Sequence, residues 1–562
     1  MMVRLFKRKK KHDSLIEPDE IFLDSKNLQN FNRQQFEGRI EKPITKKTIF
    51  IMGSFFFAFI LIFFIRLGYL QINQGERYYE RSKNNTLQKV IIFADRGIIY
   101  DRNKIELAWN KKGTGEDFGI RTYKQSGFSH VLGYVNYPAK DKSGNYWQSE
   151  FEGLDGLEKQ YGDILNGKNG SKITETDARG AIHSENIVNI PVRGVDLITT
   201  IDARVQTELF SLIKNAAENF SFSGGAGVIM NIYNGEIIAS TSFPEYNSEI
   251  LSLGKDEPAI KNYLADKRKI FLDRTISGLY TPGSIVKPFL ALGALAENII
   301  DPHKQILSTG SISIPNPYLL GEKTVFKDWR VNGWTDMREA LAVSSDVYFY
   351  SIGGGYENQK GLGILNIEKY AKLFGLGVTT GVDLPDETNG TIPSPEWKIK
   401  KFNGDPWRIG DTYHTAIGQY GFQVTPIEMV RAAGAIANSG TLMTPHFALG
   451  DKVMEAKTTE VEMNKEYFQI VREGMRQAVT KGTASVLNVP YVEVAVKTGT
   501  AQIGAAKNRV NSWVIGFLHY ENPKYAFTVM MESGPTTNSV NASSVMRQLL
   551  DWMALNTPEY FE

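Results

Sequence analysis

The chain contains no cysteine, so disulfides, thiolate nucleophiles and Cys-containing metal sites are excluded at the outset. Histidine is scarce. The seven copies are His12, His130, His183, His303, His414, His446 and His519, and they are widely scattered. No local two-histidine metal motif exists, and a histidine-based triad has little to draw on. Excess charge of one sign is missing too: 64 Lys and Arg face 62 Asp and Glu, a net charge of +2 that gives no reason to invoke nucleic acid. Internal repeats and low-complexity segments are absent. What remains is ordinary globular composition, 42% hydrophobic and 22% charged over 562 residues, enough for several domains.

One stretch departs from that composition. IFIMGSFFFAFILIFFI (49–65) carries no charge, and with Thr48 and residues 67–70 it reaches the roughly 20 residues needed to cross a bilayer. A buried core helix would keep a polar face. A cleaved signal peptide would have a far shorter leading segment, and RLGYLQINQGERYY offers no small-x-small cleavage site. Arg4, Lys7, Arg8, Lys9, Lys10 and Lys11, with Lys46 and Lys47 against the span, place the N-terminus in the cytoplasm. Arg66, Arg77, Arg81 and Lys83 on the other side make that asymmetry moderate. The KRKKK run is expected to orient the helix and to contact inner-membrane lipid.

The organisation expected is a polar tail (1–48), a transmembrane signal anchor (49–70), an α+β pedestal (71–193) and a catalytic-sized domain (194–562). In the pedestal, NTLQKVIIFADRGIIYDRNKIELAWN suggests two short strands around a turn at 94–97, and HVLGYV and KITETDA suggest strands. The larger domain opens with a helix capped by Asp202 and a hairpin turning at Asn234-Gly235. It closes with strands in VAVKTGTAQI, SWVIGFLHY and YAFTVMMESG and a terminal helix. Between them, EKYAKLFGLG and PIEMVRAAGAIANSG are helical. A sheet built from both ends of this domain, with helices packed on it, is the economical α+β arrangement.

Candidate chemistry centres on TPGSIVKP (281–288). Ser284 and Lys287, three apart, share a helical face. A lone S-x-x-K is weak evidence, and Ser252-Leu-Gly-Lys255 is a second copy set in surface-turn text. Ser284 differs because an apolar helix follows it and Pro282-Gly283 frees the chain just before it. Pro288 has no N–H to give the Ser284 carbonyl, so the first turn must be irregular. Unpaired N–H groups there suit a developing oxyanion. Lys287 can act as base if burial and a second cation lower its pKa. That cation is available in AVKTGTAQ, where Lys497 and the hydroxyls of Thr498 and Thr500 flank Gly499 on a strand whose edge suits an extended peptide ending in carboxylate. Ser344-Ser345-Asp346 lies between apolar runs, where polar groups need partners.

S-x-x-K, S-x-[ND] and K-T-G in that order form the signature shared by penicillin-binding proteins and class A β-lactamases. With ADRGIIYDRNKIELA, FEGLDGLEKQY, FLDRTISGLYTPGS and GDTYHTAIGQYGFQVTP, the chain resembles a class B penicillin-binding protein from the membrane span onward. Asp346, where Asn is commoner, is similar to the elongation-type subgroup, penicillin-binding protein 2. Two departures stand out: Tyr420 replaces a usual Gly, and without Cys a metal site of some relatives cannot be carried over.

The resemblance implies a transpeptidase domain of the penicillin-binding/serine β-lactamase-like fold. It implies that Ser284 attacks the bond between the last two D-Ala residues of a peptidoglycan stem peptide, with Lys287 as base. Ser344 and Asp346 relay or orient protons. Lys497, Thr498, Gly499 and Thr500 hold the substrate, and the backbone N–H groups of Ser284 and Thr500 form the oxyanion hole. No cofactor or metal is implied. Implied partners are β-lactams and a membrane glycosyltransferase of the shape and elongation family. A division-type enzyme and a non-catalytic penicillin sensor on the same fold are the alternatives. A β-lactamase or D,D-carboxypeptidase is disfavoured by the anchor and pedestal.

Overall fold

The computed structural model describes residues 45–113, 116–176, 182–316, 318–319, 321–450, 457–504 and 506–562. The basic cluster at 4–11 and most of the expected cytoplasmic tail lie outside them. Two compact units result, Met1–Gln88 with Thr176–Ala181, and Lys89–Glu175 with Ile182–Glu562.

The first unit is dominated by the helix Lys46–Gly68, capped by the Thr45 hydroxyl, which accepts from Thr48 N. No residue in it is buried, and its apolar side chains face outward all round. It is long and apolar enough to cross a membrane. A π-helical turn, Tyr69–Asn73, continues it.

In the second unit a five-stranded sheet runs Ala448–Leu449, Leu197–Thr199, Ile99–Tyr100, Glu106–Lys112, Gly119–Tyr123. The tight turn expected at 94–97 forms instead after Tyr100. There the Asp101 carboxylate accepts from Asn103 N (2.8 Å) and Ile105 N (2.7 Å), an Asx turn that pairs Ile99 with Ala108. HVLGYV also departs from expectation, since Ser129–Leu132 is helical. Phe128, Val131 and Leu132 are all buried, which helical spacing permits and strand alternation does not.

Residues 94–98 are held by a buried ion triad. Glu158 takes Arg96 Nε on one oxygen and Arg121 Nε on the other, each at 2.6 Å, with all three side chains sealed from solvent. Burial alone would raise the Glu158 pKa, but the two guanidiniums outweigh it and hold the carboxyl below its ordinary range. Arg96 comes from ADRG and Glu158 from FEGLDGLEKQY, so this triad is what joins those two motifs.

The main sheet runs Ile237–Phe243, Gly224–Asn231, Tyr525–Pro535, Arg509–Leu518, Val494–Ile503, antiparallel throughout. Both ends of the domain build it, as the hairpin and the late strands predict. Alternation splits its faces. Val494, Val496, Val514 and Val529 meet the helices Ala203–Asn219 and Ala542–Asn556. Ala495, Ile515 and Met530 meet Lys287–Ala296 and Pro426–Ala437. Lys497, two residues after Ala495, therefore points to the face that carries the Ser284 turn.

Removing the triad's anion isolates two buried guanidiniums. Glu158→Ala is expected to cost about 3–5 kcal/mol of stability, read by denaturant unfolding of the detergent-solubilised protein. A loss under about 1 kcal/mol would show that the triad does not hold the pedestal together.

Candidate active site

The chain around Ser284 forms a 3-10 turn, Gly283–Val286, that runs into the helix Lys287–Ala296. Lys287 N donates to the Ser284 carbonyl, three residues back. This is the irregularity that Pro288 dictates: the i+4 donor is missing, so the i+3 donor replaces it. Ser284 is half-buried, whereas Lys287 is fully buried.

Two glycines let backbone reach this turn. A Cβ on Gly499 would stand 2.8 Å from Pro282 O, so Gly499 lets the edge strand lie directly on the turn. Gly418, at φ 74°, accepts from Gly283 N through its carbonyl (2.9 Å), and a Cβ there would strike Gly283 O at 2.1 Å. Behind the turn, buried Trp513, paired with Gly499 across the strands, donates from Nε1 to Thr281 O at 3.0 Å.

Ser344 lies between the expected elements. It ends the helix Met337–Val343 at φ 58°, ψ 40°, a left-handed position where glycine is usual. A serine there costs on the order of 1 kcal/mol. The conformation aims its hydroxyl at both lysines: Lys497 Nζ donates to Ser344 Oγ at 2.8 Å and Lys287 Nζ at 3.3 Å. Lys287 also donates to Ser344 O (2.8 Å) and forms an ion pair with Asp346 Oδ1 (2.7 Å), while lying 5.3 Å from the centre of the Phe349 ring. None of the Lys287 hydrogen bonds reaches Ser284 Oγ in this resting arrangement.

Lys497 is fully buried, and its remaining bond goes to Thr498 O (2.9 Å). Desolvation, then the charge of Lys287, push its pKa well below the ordinary lysine value, against a smaller upward pull from Asp346. Its Nζ thus meets Ser344 behind the cleft wall. Thr498 and Thr500 stand at the strand's outer edge. Thr498 Oγ1 lies 2.8 Å from Thr483 Oγ1.

The cleft encloses about 460 Å³ and is lined by Ser284, Ser344, Asp346, Thr498, Gly499 and Thr500, which brings every expected site residue except the buried lysines to its wall. Trp329, Thr483, Ser512, Trp513, Asn541 and Ser543 also line it, and sequence reasoning missed them. Thr483 had one local signal, the preceding Gly482, where a Cβ would meet Ala342 O at 2.2 Å. The second S-x-x-K is no site. Ser252 is buried and accepts from Val135 N, and Lys255 is 3.8 Å from Glu116.

Tyr420 keeps the left-handed backbone that a glycine would supply, at φ 62°. Its ring is enclosed by Trp397, Trp407 and Phe402, with Lys398 Nζ 5.7 Å from the ring centre. Lys398 pairs with Asp411 (2.6 Å) and Asp405 (2.9 Å). The aromatic packing offsets the backbone cost and leaves Gly418 seated against Gly283.

Residues 225–551 match the penicillin binding protein transpeptidase domain and residues 116–199 the penicillin-binding protein dimerisation domain. The chain is 30% identical over 463 residues to the peptidoglycan D,D-transpeptidase MrdA of Haemophilus influenzae, covering 75% of this chain and 67% of that protein. Its identity to MrdA of Salmonella typhimurium is 26% over 623 aligned positions, covering 91% and 96% of the two chains. Penicillin-binding protein PBP2 of Helicobacter pylori, solved in a complex with MreC, is 28% identical, with a TM-score of 0.69 over 83% of this chain and 99% of that one.

The Asp346 carboxylate pulls the Lys497 pKa upward against desolvation. Asp346→Asn withdraws that pull, so Lys497 loses its proton at lower pH. The acid limb of the pH–acylation profile with a fluorescent penicillin is expected to move to lower pH. A shift to higher pH would contradict this assignment.

Proposed function

The chain belongs to the penicillin-binding proteins, and from that premise we propose how its own residues carry the family's chemistry. It is a peptidoglycan D,D-transpeptidase of the elongation type, acting in cell-wall growth and cell shape. The domain division proposed is a tail (1–48), a membrane anchor (49–70), a pedestal (71–193) and a transpeptidase domain (194–562).

The observation that carries the mechanism is the Ser344 hydroxyl lying between two buried lysine amines. Two ammonium groups on one hydroxyl repel, and desolvation falls hardest on Lys497, so the pair holds one proton too few to charge both. In the resting site Lys287 is the amine ion-paired with Asp346. The neutral amine is Lys497. When substrate enters, the proton passes from Lys287 through Ser344 to Lys497, and Lys287 is left as the base for Ser284. Ser284 Oγ then attacks the carbonyl between the last two D-Ala residues, and its proton goes to Lys287.

The N–H groups of Ser284 and Thr500 hold the oxyanion. Collapse of the tetrahedral intermediate breaks the peptide bond, and the departing D-Ala amine takes the proton from Lys287. An amine of a neighbouring stem peptide resolves the ester by the reverse sequence, giving the cross-link. Thr498, Thr500 and Thr483 supply the hydroxyls for the substrate carboxylate, and the free edge of Val494–Ile503 pairs with its backbone. β-Lactams acylate Ser284 by the same first step.

The apolar helix Lys46–Gly68 is proposed as a single span of the bacterial inner membrane. The Lys46 and Lys47 flank supports a cytoplasmic N-terminus with the enzyme outside. The complex of the H. pylori relative with MreC supports a shape-system partner of that kind for this chain. A membrane glycosyltransferase of the shape and elongation family, bound through the span and pedestal, is proposed beside it.

Ser284→Ala is expected to lower the rate of covalent labelling by fluorescent penicillin at least about 1,000-fold, and to fail to complement depletion of the protein. Persistent labelling would move the nucleophile elsewhere, and full complementation would favour a scaffold. In spheroplasts, external protease is expected to digest the domain beyond residue 70 and to spare an N-terminal tag. The opposite pattern would invert the topology.

A further inference from the structure

The left-handed conformation of Ser344 persists only if its neighbours impose it. Two adjacent residues just beyond the strand Lys323–Lys327 grip the chain on both sides of it. Before Ser344, Trp329 Nε1 donates to Val343 O at 3.1 Å. After it, Asp328 Oδ2 accepts from Ser345 Oγ at 2.8 Å and from Val347 N at 3.1 Å. The same oxygen takes Ser308 Oγ at 3.0 Å and Asn332 Nδ2 at 3.1 Å, while Oδ1 takes Trp329 N at 2.8 Å. An ionised carboxylate suits that many donors, and a neutral amide does not.

Ser345 gives this contact a direction. Its Oγ accepts from Tyr348 N (3.3 Å) and so caps the helix Asp346–Gly354. A hydroxyl that accepts there has its proton free for one donation, and Asp328 receives it. The first residue of the capped helix is Asp346, partner of Lys287. The residue before the cap is Ser344, partner of both lysines. Asp328 therefore touches neither lysine yet fixes the two groups that do.

We propose that Asp328 is a positioning residue for acyl transfer: through Ser345, and together with its neighbour Trp329, it clamps Ser344 in the conformation that places one hydroxyl between Lys287 and Lys497. The inference rests on the lysine relay proposed above. It separates cleanly from the choice of nucleophile, since loss of Ser284 abolishes labelling while loss of the clamp slows it.

The test is Asp328→Asn in the full-length, detergent-solubilised protein. Labelling kinetics over a range of fluorescent penicillin concentrations separate the non-covalent Kd from the acylation rate constant. The expected result is an acylation constant at least about tenfold lower, with Kd within about twofold and labelling still complete at long times. A merely structural role would instead reduce the fraction labelled and leave the constant of the folded molecules unchanged. Ser345→Ala should slow acylation in the same sense. The double variant should be slowed by less than the product of the two single effects, because both changes break the Ser345–Asp328 contact. A native acylation constant in Asp328→Asn, or effects that multiply in the double variant, overturns the proposal. If Asp328→Asn does not fold, Trp329→Phe carries the test by removing the bond to Val343 O while keeping an aromatic ring at the cleft wall, the unchanged Kd separating the two. It should slow acylation about threefold or more at unchanged melting temperature, and a native rate there overturns the clamp.

Discussion

Two lysine amines sealed from water share one serine hydroxyl, and their mutual repulsion opposes charge on both. Their nitrogens are no more than about 6 Å apart, where two unit charges repel by about 3 kcal/mol even at an effective dielectric of 20. Desolvation of Lys497 adds to that penalty. The arrangement favours an uncharged amine without histidine, in a chain that has little of it. The rest of the site answers to this constraint. Asp346 pairs with Lys287, Phe349 covers Lys287, and the left-handed Ser344 aims the hydroxyl.

The three parts come from three remote places in the chain, and the fold joins them by backbone contact. Ser284 rides on a turn that Gly499 and Gly418 allow to be approached from two sides. Lys497 is presented by the edge strand of a sheet assembled from both ends of the domain, on the face its alternation dictates. Ser344 is presented at a junction of two short helices. In the pedestal, one carboxylate between two guanidiniums ties together motifs some 60 residues apart, a long loop closed by charges that cannot be left unpaired.

Much of this was legible in the sequence, for reasons that differ by residue. Pro288 announces the irregular first turn because it removes one particular donor. Asn234-Gly235, Asp202 and the alternating late strands act locally, so their elements follow from local chemistry. The HVLGYV helix and the turn at Asp101 went the other way because tertiary burial and an Asx bond overrode a short hydrophobic pattern. Asp328 and Trp329 were silent. A lone Asp-Trp in polar text has no period and no spacing, and its meaning appears only once Ser345 lies 2.8 Å away. That Lys497 meets the Ser344 hydroxyl was equally hidden, since a strand pattern says which face a side chain takes but not which partner waits there.

The seam between the Ser284 turn and the edge strand has a consequence for escape from antibiotics. Backbone meets backbone there with no side chain between, and any Cβ added at Gly499 or Gly418 collides with a carbonyl. Substitution cannot reshape this surface without dismantling the machinery that the drug imitates. Variation is left to positions where side chains, not bare backbone, line the cleft. The enzyme's evolutionary freedom lies around its active site, in the parts that admit or exclude a molecule before chemistry begins.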